Sequence, residues 1–184
     1  MSARKLTPTR EILLDAACRL VLRQGVAQLT LDAVAAAAGV SKGGLLYHFP
    51  SKEALIQGMV EHLLNETGKR IAGETSQAAD APGKWVRAYV RTTFEPNPLE
   101  REMSAGLLAA IATNPELLEP LRASYRKWQA SVEDDGLDPA LATVIRLAAD
   151  GLWFAELFDL APPDPALRTQ IYDTLLRLSG EGGS

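Results

Sequence analysis

The chain has 184 residues, 47% hydrophobic and 23% charged, an ordinary soluble balance that can bury a real core. It has no uncharged apolar run of about 18 residues, which argues against a membrane span, and no apolar stretch with a cleavage site follows its basic N-terminus, which argues against a secretory signal. A single cysteine, Cys18, rules out an intrachain disulfide and suits a reducing cytoplasm. The net charge is −4, but residues 1–55 carry seven Lys and Arg against four acids, and residues 56–184 carry twelve against nineteen. A basic head on an acidic body fits a protein that meets phosphate with one end.

Almost every segment carries helix signals and none alternates with period two, so the spacing predicts an all-α protein of about nine helices. Thr7-Pro8 reads as a cap with proline at the first helical position, opening a helix that Gly25 ends. Thr30 caps a short helix closed by Gly39, Ser41 caps a third closed by Pro50, and Ser51 caps a fourth running to about Gly73. Residues 74–83 are small, polar and proline-bearing and read as a linker. A fifth helix over 84–95 precedes the break Pro96-Asn97-Pro98, with a sixth over 99–113 and a seventh over 115–134. Asp138-Pro139 and Asp164-Pro165 repeat the cap-plus-proline start for an eighth helix, to about 160, and a ninth, to about 179. The tail GEGGS is expected to be disordered. The resulting division is a head at 1–50, a connecting helix at 51–73 and a helical body at 74–184.

The informative stretch is TLDAVAAAAGVSKGGLLYHFPSKEAL, residues 30–55. An Ala-rich helix, a Gly39 turn and a hydroxyl-capped second helix form the pattern of a helix-turn-helix. Thr30 and Ser41 stand at helix N-termini, where free N–H groups and the helix dipole favour an anion such as phosphate. Lys42 and Lys52 add full positive charges, and Tyr47 and His48 can donate to a phosphate backbone. Gly43 and Gly44 are poor helix formers, and small side chains there let a recognition helix approach base edges. Singly, each has a plainer reading: a loop for the glycines, a core aromatic for Tyr47, a bystander for His48. Their joint order is far more specific.

That order resembles the DNA-binding head of the TetR family of bacterial repressors over about residues 9–56. The resemblance implies three helices in the head, six in the body, a homodimer through the last two helices, a double-stranded DNA operator read in two major grooves, and a small-molecule effector site in the body. Thr30, Ser41, Tyr47, His48 and Lys52 match family positions that contact DNA backbone. Lys42, Gly43, Gly44 and Leu45 match the groove-facing start of the recognition helix, and Phe49 a buried aromatic. Since Gly44 and Leu45 offer no polar side chain, base readout would rest on Lys42, Tyr47 and the arm Arg4-Lys5, with DNA shape supplying the rest.

In the body, Trp85, Tyr89, Met103, Leu107, Tyr125, Trp128 and Trp153 are candidates for lining an effector site, and few charges among them favour an apolar or aromatic ligand. The plainer reading is an aromatic core. Arg146 and Asp150, inside the apolar eighth helix, are either polar anchors or a pair satisfying each other. That helix is apolar nearly all round, which in a small chain suggests a partner. Gly151 and Ala155 would admit a close helix, and Phe154, Phe158, Leu167, Ile171 and Leu175 complete a candidate four-helix dimer interface. No phosphate-cradling glycine loop, metal-ligand spacing or nucleophile motif occurs, so neither a cofactor, a metal nor an enzymatic activity is expected. A helical adaptor with little DNA binding is the remaining rival.

Overall fold

The computed structural model describes residues 9–95 and 98–180; the Arg4-Lys5 arm, the Thr7-Pro8 start, Pro96-Asn97 and the last four residues of the GEGGS tail lie outside them. Nine α-helices and no strand occur among the described residues. They are α1 (Thr9–Gln24), α2 (Leu31–Ala38), α3 (Lys42–His48), α4 (Lys52–Gln77), α5 (Lys84–Phe94), α6 (Pro98–Thr113), α7 (Glu119–Glu133), α8 (Pro139–Phe158) and α9 (Pro165–Leu178), with 3-10 turns at Val26–Gln28 and Pro115–Leu118.

The helix starts follow from side chains that accept hydrogen bonds from the first orphan N–H groups. Thr30 Oγ1 accepts from Ala33 N at 3.2 Å, Ser41 Oγ from Gly44 N at 3.1 Å and Ser51 Oγ from Ala54 N at 3.1 Å. Asp138 and Asp164 do the same for Leu141 N and Leu167 N, each at 2.8 Å and each followed by proline. Gly39 ends α2 at φ 68°, a left-handed conformation that costs glycine nothing.

Two boundaries differ from the sequence expectation. α4 runs past Gly73 to Gln77, because Ile71 is anchored in a core and Thr75 and Ser76 bond back to the carbonyls of Ile71 and Gly73 at 2.7 and 2.8 Å. The expected seventh helix from residue 115 is split into a 3-10 turn and α7. Pro120 explains the split: with no N–H it cannot continue a helix begun at Pro115, yet it fits the first turn of one begun at Glu119.

The chain packs as two units. The first comprises the residues up to Leu64 together with Glu102–Leu121, so it takes most of α6 with the head. Its core gathers Leu13, Leu14, Val34, Leu45, Phe49, Leu55 and Met59 with Met103, Leu107, Ile111 and Leu117. Those last four draw 102–121 away from the body in which the sequence division places them. The Phe49 ring lies over Gly58: a Cβ there would stand 2.6 Å from Phe49 Cε1 and 3.4 Å from Leu14 Cδ2. With Phe49 only 2% exposed, its ring has nowhere to turn. Gly58→Ala should therefore lower the stability of this unit by about 1–2 kcal/mol despite the helix propensity gained. The check is the chemical denaturation midpoint; a midpoint held or raised would show that Phe49 can yield.

The second unit comprises Asn65–Arg101 and Arg122 onward, with Ile71, Val86, Val90, Val132, Ala142, Ile145 and Ala149 at its centre. Asp135 starts α5, its carboxylate accepting from Trp85 N and Val86 N at 2.9 Å each. Gly83 beside it, at φ 80°, approaches the Ser179 carbonyl so closely that a Cβ would lie 2.2 Å from the oxygen. The buried Arg87 donates to that carbonyl and to Pro82 O, tying the end of α9 to the start of α5.

Candidate functional site

In the first unit, α2, the Gly39 turn and α3 form a helix-turn-helix whose inner and outer faces are set by helix phase. Leu45 and Phe49, four apart, point into the core at 0% and 2% exposure. Lys42, Gly43, Leu46 and Tyr47 are left outside. Leu45 is thus corrected from a groove-facing residue to a core residue. Leu46, which the sequence reading passed over, is exposed in its stead; its phase relative to Leu45 and Phe49 was the available signal.

Tyr47 is 86% exposed, its ring edge-on to His48 at 5.1 Å. A tyrosine so placed gains almost nothing from burial. The two glycines separate cleanly. A Cβ on Gly44 would press the capping Ser41 Oγ at 3.3 Å, so the cap accounts for it, whereas a Cβ on Gly43 would meet nothing within 4 Å. Among the described residues nothing packs where a Cβ on Gly43 would stand, although glycine is a poorer helix former than alanine.

The cations are less free than the sequence suggests. Lys42 Nζ lies 2.9 Å from Asp32 Oδ1, an ion pair from the first turn of α3 to the first turn of α2. Lys52 donates to Ala27 O at 3.1 Å and so holds the 3-10 turn before α2. Thr30 and Ser41 are exposed, each already accepting from its own helix.

In the second unit, four of the expected effector-site aromatics assemble. Trp85 stacks on Tyr89 at 5.4 Å, Trp128 meets Tyr89 edge-on at 5.8 Å, and Tyr125 lies 5.0 Å from Trp128. The remaining aromatic, Trp153, pairs instead with Phe154, and the aliphatic candidates Met103 and Leu107 belong to the first unit's core. Beneath the rings lies a polar chain. Tyr89 donates to Asp150 Oδ1, with Tyr125 Oη 3.5 Å from the same oxygen, and Arg146 donates to Asp150 Oδ2 at 2.6 Å. Arg146 Nε also donates to Gln129 Oε1 at 2.9 Å, and Gln129 to Thr143 Oγ1 at 2.9 Å. Arg146 and Asp150 therefore satisfy each other, and both remain tied to ring hydroxyls or an amide. Burial raises the Asp150 carboxyl above its usual range, opposed by Tyr89 and Arg146. Burial, and then the Asp150 charge, push the Tyr125 hydroxyl up to about 12, and burial above all pushes Tyr89 higher. Both tyrosines are therefore held as neutral donors. An open groove of about 500 Å³ adjoins, lined by Arg122, Tyr125, Arg126, Gln129, Ala130 and Glu133 along one face of α7.

α8 buries Ala142, Ile145, Ala149 and Leu152 and leaves Val144, Leu147, Gly151, Phe154 and Phe158 exposed. On α9, Leu167 and Leu178 are exposed and Ile171 is half-buried against the core. Ala155 is half-buried, and Leu175 is core at 6% exposure, so it leaves the candidate dimer face. Burial pushes the Cys18 thiol up to about 11, leaving it an unreactive packing group. No helix of the described residues is long and apolar enough to cross a membrane.

Family models match both ends of the chain: bacterial regulatory proteins of the tetR family over residues 13–59, and the tetracyclin repressor-like C-terminal domain over 83–180. The HTH-type transcriptional regulator EthR of Mycobacterium tuberculosis is 26% identical, the alignment covering 96% of this chain and 88% of that one. A regulator from Streptomyces coelicolor A3(2) shares the fold with a TM-score of 0.75 at 20% identity, covering 95% of this chain and 99% of that one. The multidrug binding protein EbrR, complexed with ethidium, matches with a TM-score of 0.69 at 24% identity over 93% and 98% of the two chains.

Proposed function

The chain belongs to the TetR family of helix-turn-helix transcriptional regulators, and from that premise we propose that it is a repressor, bound as a homodimer to a palindromic operator and released by a small apolar or aromatic ligand. The observation that carries the DNA reading is the outer face of α3. Tyr47 is exposed without gain from burial, and no described residue lies where a Cβ on Gly43 would stand. Both make sense if a nucleic-acid backbone and base edges complete the surface. A two-fold protein presents two such faces, so the operator should be an imperfect palindrome with half-site centres about one helical turn or somewhat more apart. Selection from random duplexes followed by footprinting tests this; a single unsymmetrical half-site bound by one chain would overturn it.

Two substitutions test the interface itself. Lys42→Ala should weaken operator binding and, if the ammonium meets phosphate, flatten the slope of log affinity against log salt by about one unit. Tyr47→Phe should weaken it through the lost hydroxyl without changing that slope. Affinity unchanged in both would remove α3 from the interface.

The effector reading is supported by the cluster of Trp85, Tyr89, Tyr125 and Trp128, packed over a satisfied polar chain with an open groove beside it. The likeness to EbrR, which binds ethidium, favours flat aromatic compounds as the first to try.

A further inference from the structure

Lys42 stands in the first turn of α3, on the outer face proposed above to meet DNA, yet its ammonium is engaged. Nζ lies 2.9 Å from Asp32 Oδ1 and 3.1 Å from Oδ2. The two side chains are 61% and 70% exposed, so the pair is no requirement of the core, and at such exposure it adds little to folding. Asp32 is the single acid in the first turn of α2, two residues after Thr30, so it places a carboxylate on the surface proposed above to meet DNA.

We propose that Asp32 is an electrostatic brake on DNA binding: it holds Lys42 in the free protein and must release it before the ammonium can meet a DNA phosphate. This rests on the DNA-binding reading above. Two effects oppose binding. The ion pair is broken, and the freed carboxylate is left within a Debye length of the phosphates that displaced it. Neither depends on base sequence. The brake therefore acts on duplex DNA as such.

The experiment measures binding of a fluorescent random-sequence duplex at low salt by wild type, Asp32→Asn, Lys42→Ala and the double variant. Asp32→Asn should tighten binding about 3–10-fold, the scale of a lost exposed ion pair plus a lost repulsion, and the gain should shrink as salt rises. In the Lys42→Ala background the same change should gain clearly less, because only the repulsion is left to relieve and no ion pair has to be broken. Asp32→Ser, which also suits a first turn, should behave as Asp32→Asn does and guards against a local folding defect. An equal gain in both backgrounds would show that Asp32 acts only as bulk negative charge and would overturn the brake. So would no gain, or a loss, in both Asp32 variants, which would make Asp32 a guide for Lys42. Wild type showing no salt-sensitive DNA binding would overturn the DNA reading and the brake with it. Wild type that binds, and is weakened by Lys42→Ala but not tightened by the Asp32 changes, overturns the brake alone.

Discussion

Phe154→Glu should leave the protein monomeric at micromolar concentration and remove its operator binding. Phe154 lies on the exposed stripe Val144, Leu147, Gly151, Phe154, Phe158 of α8, at the helical spacing of one continuous face. Gly151 sits within that stripe with nothing within 4 Å of where a Cβ would be, so a second helix could come close there. Leu167 and Leu178 are exposed on α9, and two copies of this pair of helices would make a four-helix contact. In a two-fold interface each substitution acts twice, burying two carboxylates without partners, at a cost of several kcal/mol. The dimer dissociation constant should rise by more than about 100-fold. Operator affinity should fall with it, because two heads held together bind as one ligand at high effective concentration. Sedimentation velocity on both proteins reads the result. A wild type that is monomeric at micromolar concentration, or a Phe154→Glu variant that dimerises as before, would sink the interface. Leu175→Ala is the contrast: its side chain is core, so it should lower the unfolding midpoint and leave the folded protein dimeric.

How far sequence alone reaches here follows from which interactions are local. Thr30, Ser41, Asp138 and Asp164 could be read as caps because a cap and its N–H partner are three residues apart, and all four are caps. The Pro120 split is equally local, and Pro120 itself carries the signal. What sequence could not supply were pairings between helices. Lys42 reads as a free cation until Asp32, ten residues away on another helix, is brought to it. Met103 and Leu107 are apolar residues of α6 that fit any core; only packing assigns them to the first unit. Leu45 and Leu46 are identical in chemistry and differ only in phase, one at 0% exposure and the other outside. Leu175 and Leu178 divide in the same way, one in the core and one facing out. Composition finds such residues apolar, but the direction in which each points is a property of the assembled helices.

An aromatic compound that quenches Trp85 or Trp128 should weaken operator binding by about 5–150-fold, and operator DNA should weaken its binding by the same factor. The equality follows from linkage: whatever free energy couples two sites must be the same in whichever order they fill, and about 1–3 kcal/mol is typical of allosteric pairs. A ligand among these rings has to part Trp85 from Tyr89 or take over the hydrogen bonds that Tyr89 and Tyr125 make to Asp150, so it favours a rearranged second unit. α4 is the proposed carrier of that change. It contributes its first part, to Leu64, to the unit with the helix-turn-helix and its remainder to the unit with the aromatic cluster. Its first residue, Lys52, bonds to Ala27 O just before α2, so movement of that end would be felt at the recognition surface. The test is a fluorescence titration of each quenching compound, ethidium among the first, with and without saturating operator, alongside operator titrations with and without the compound. Two equal factors above about five would establish the coupling. A compound that binds tightly but with the same affinity in the presence and absence of operator would show that the cluster and the head are uncoupled, and release by that ligand would be ruled out.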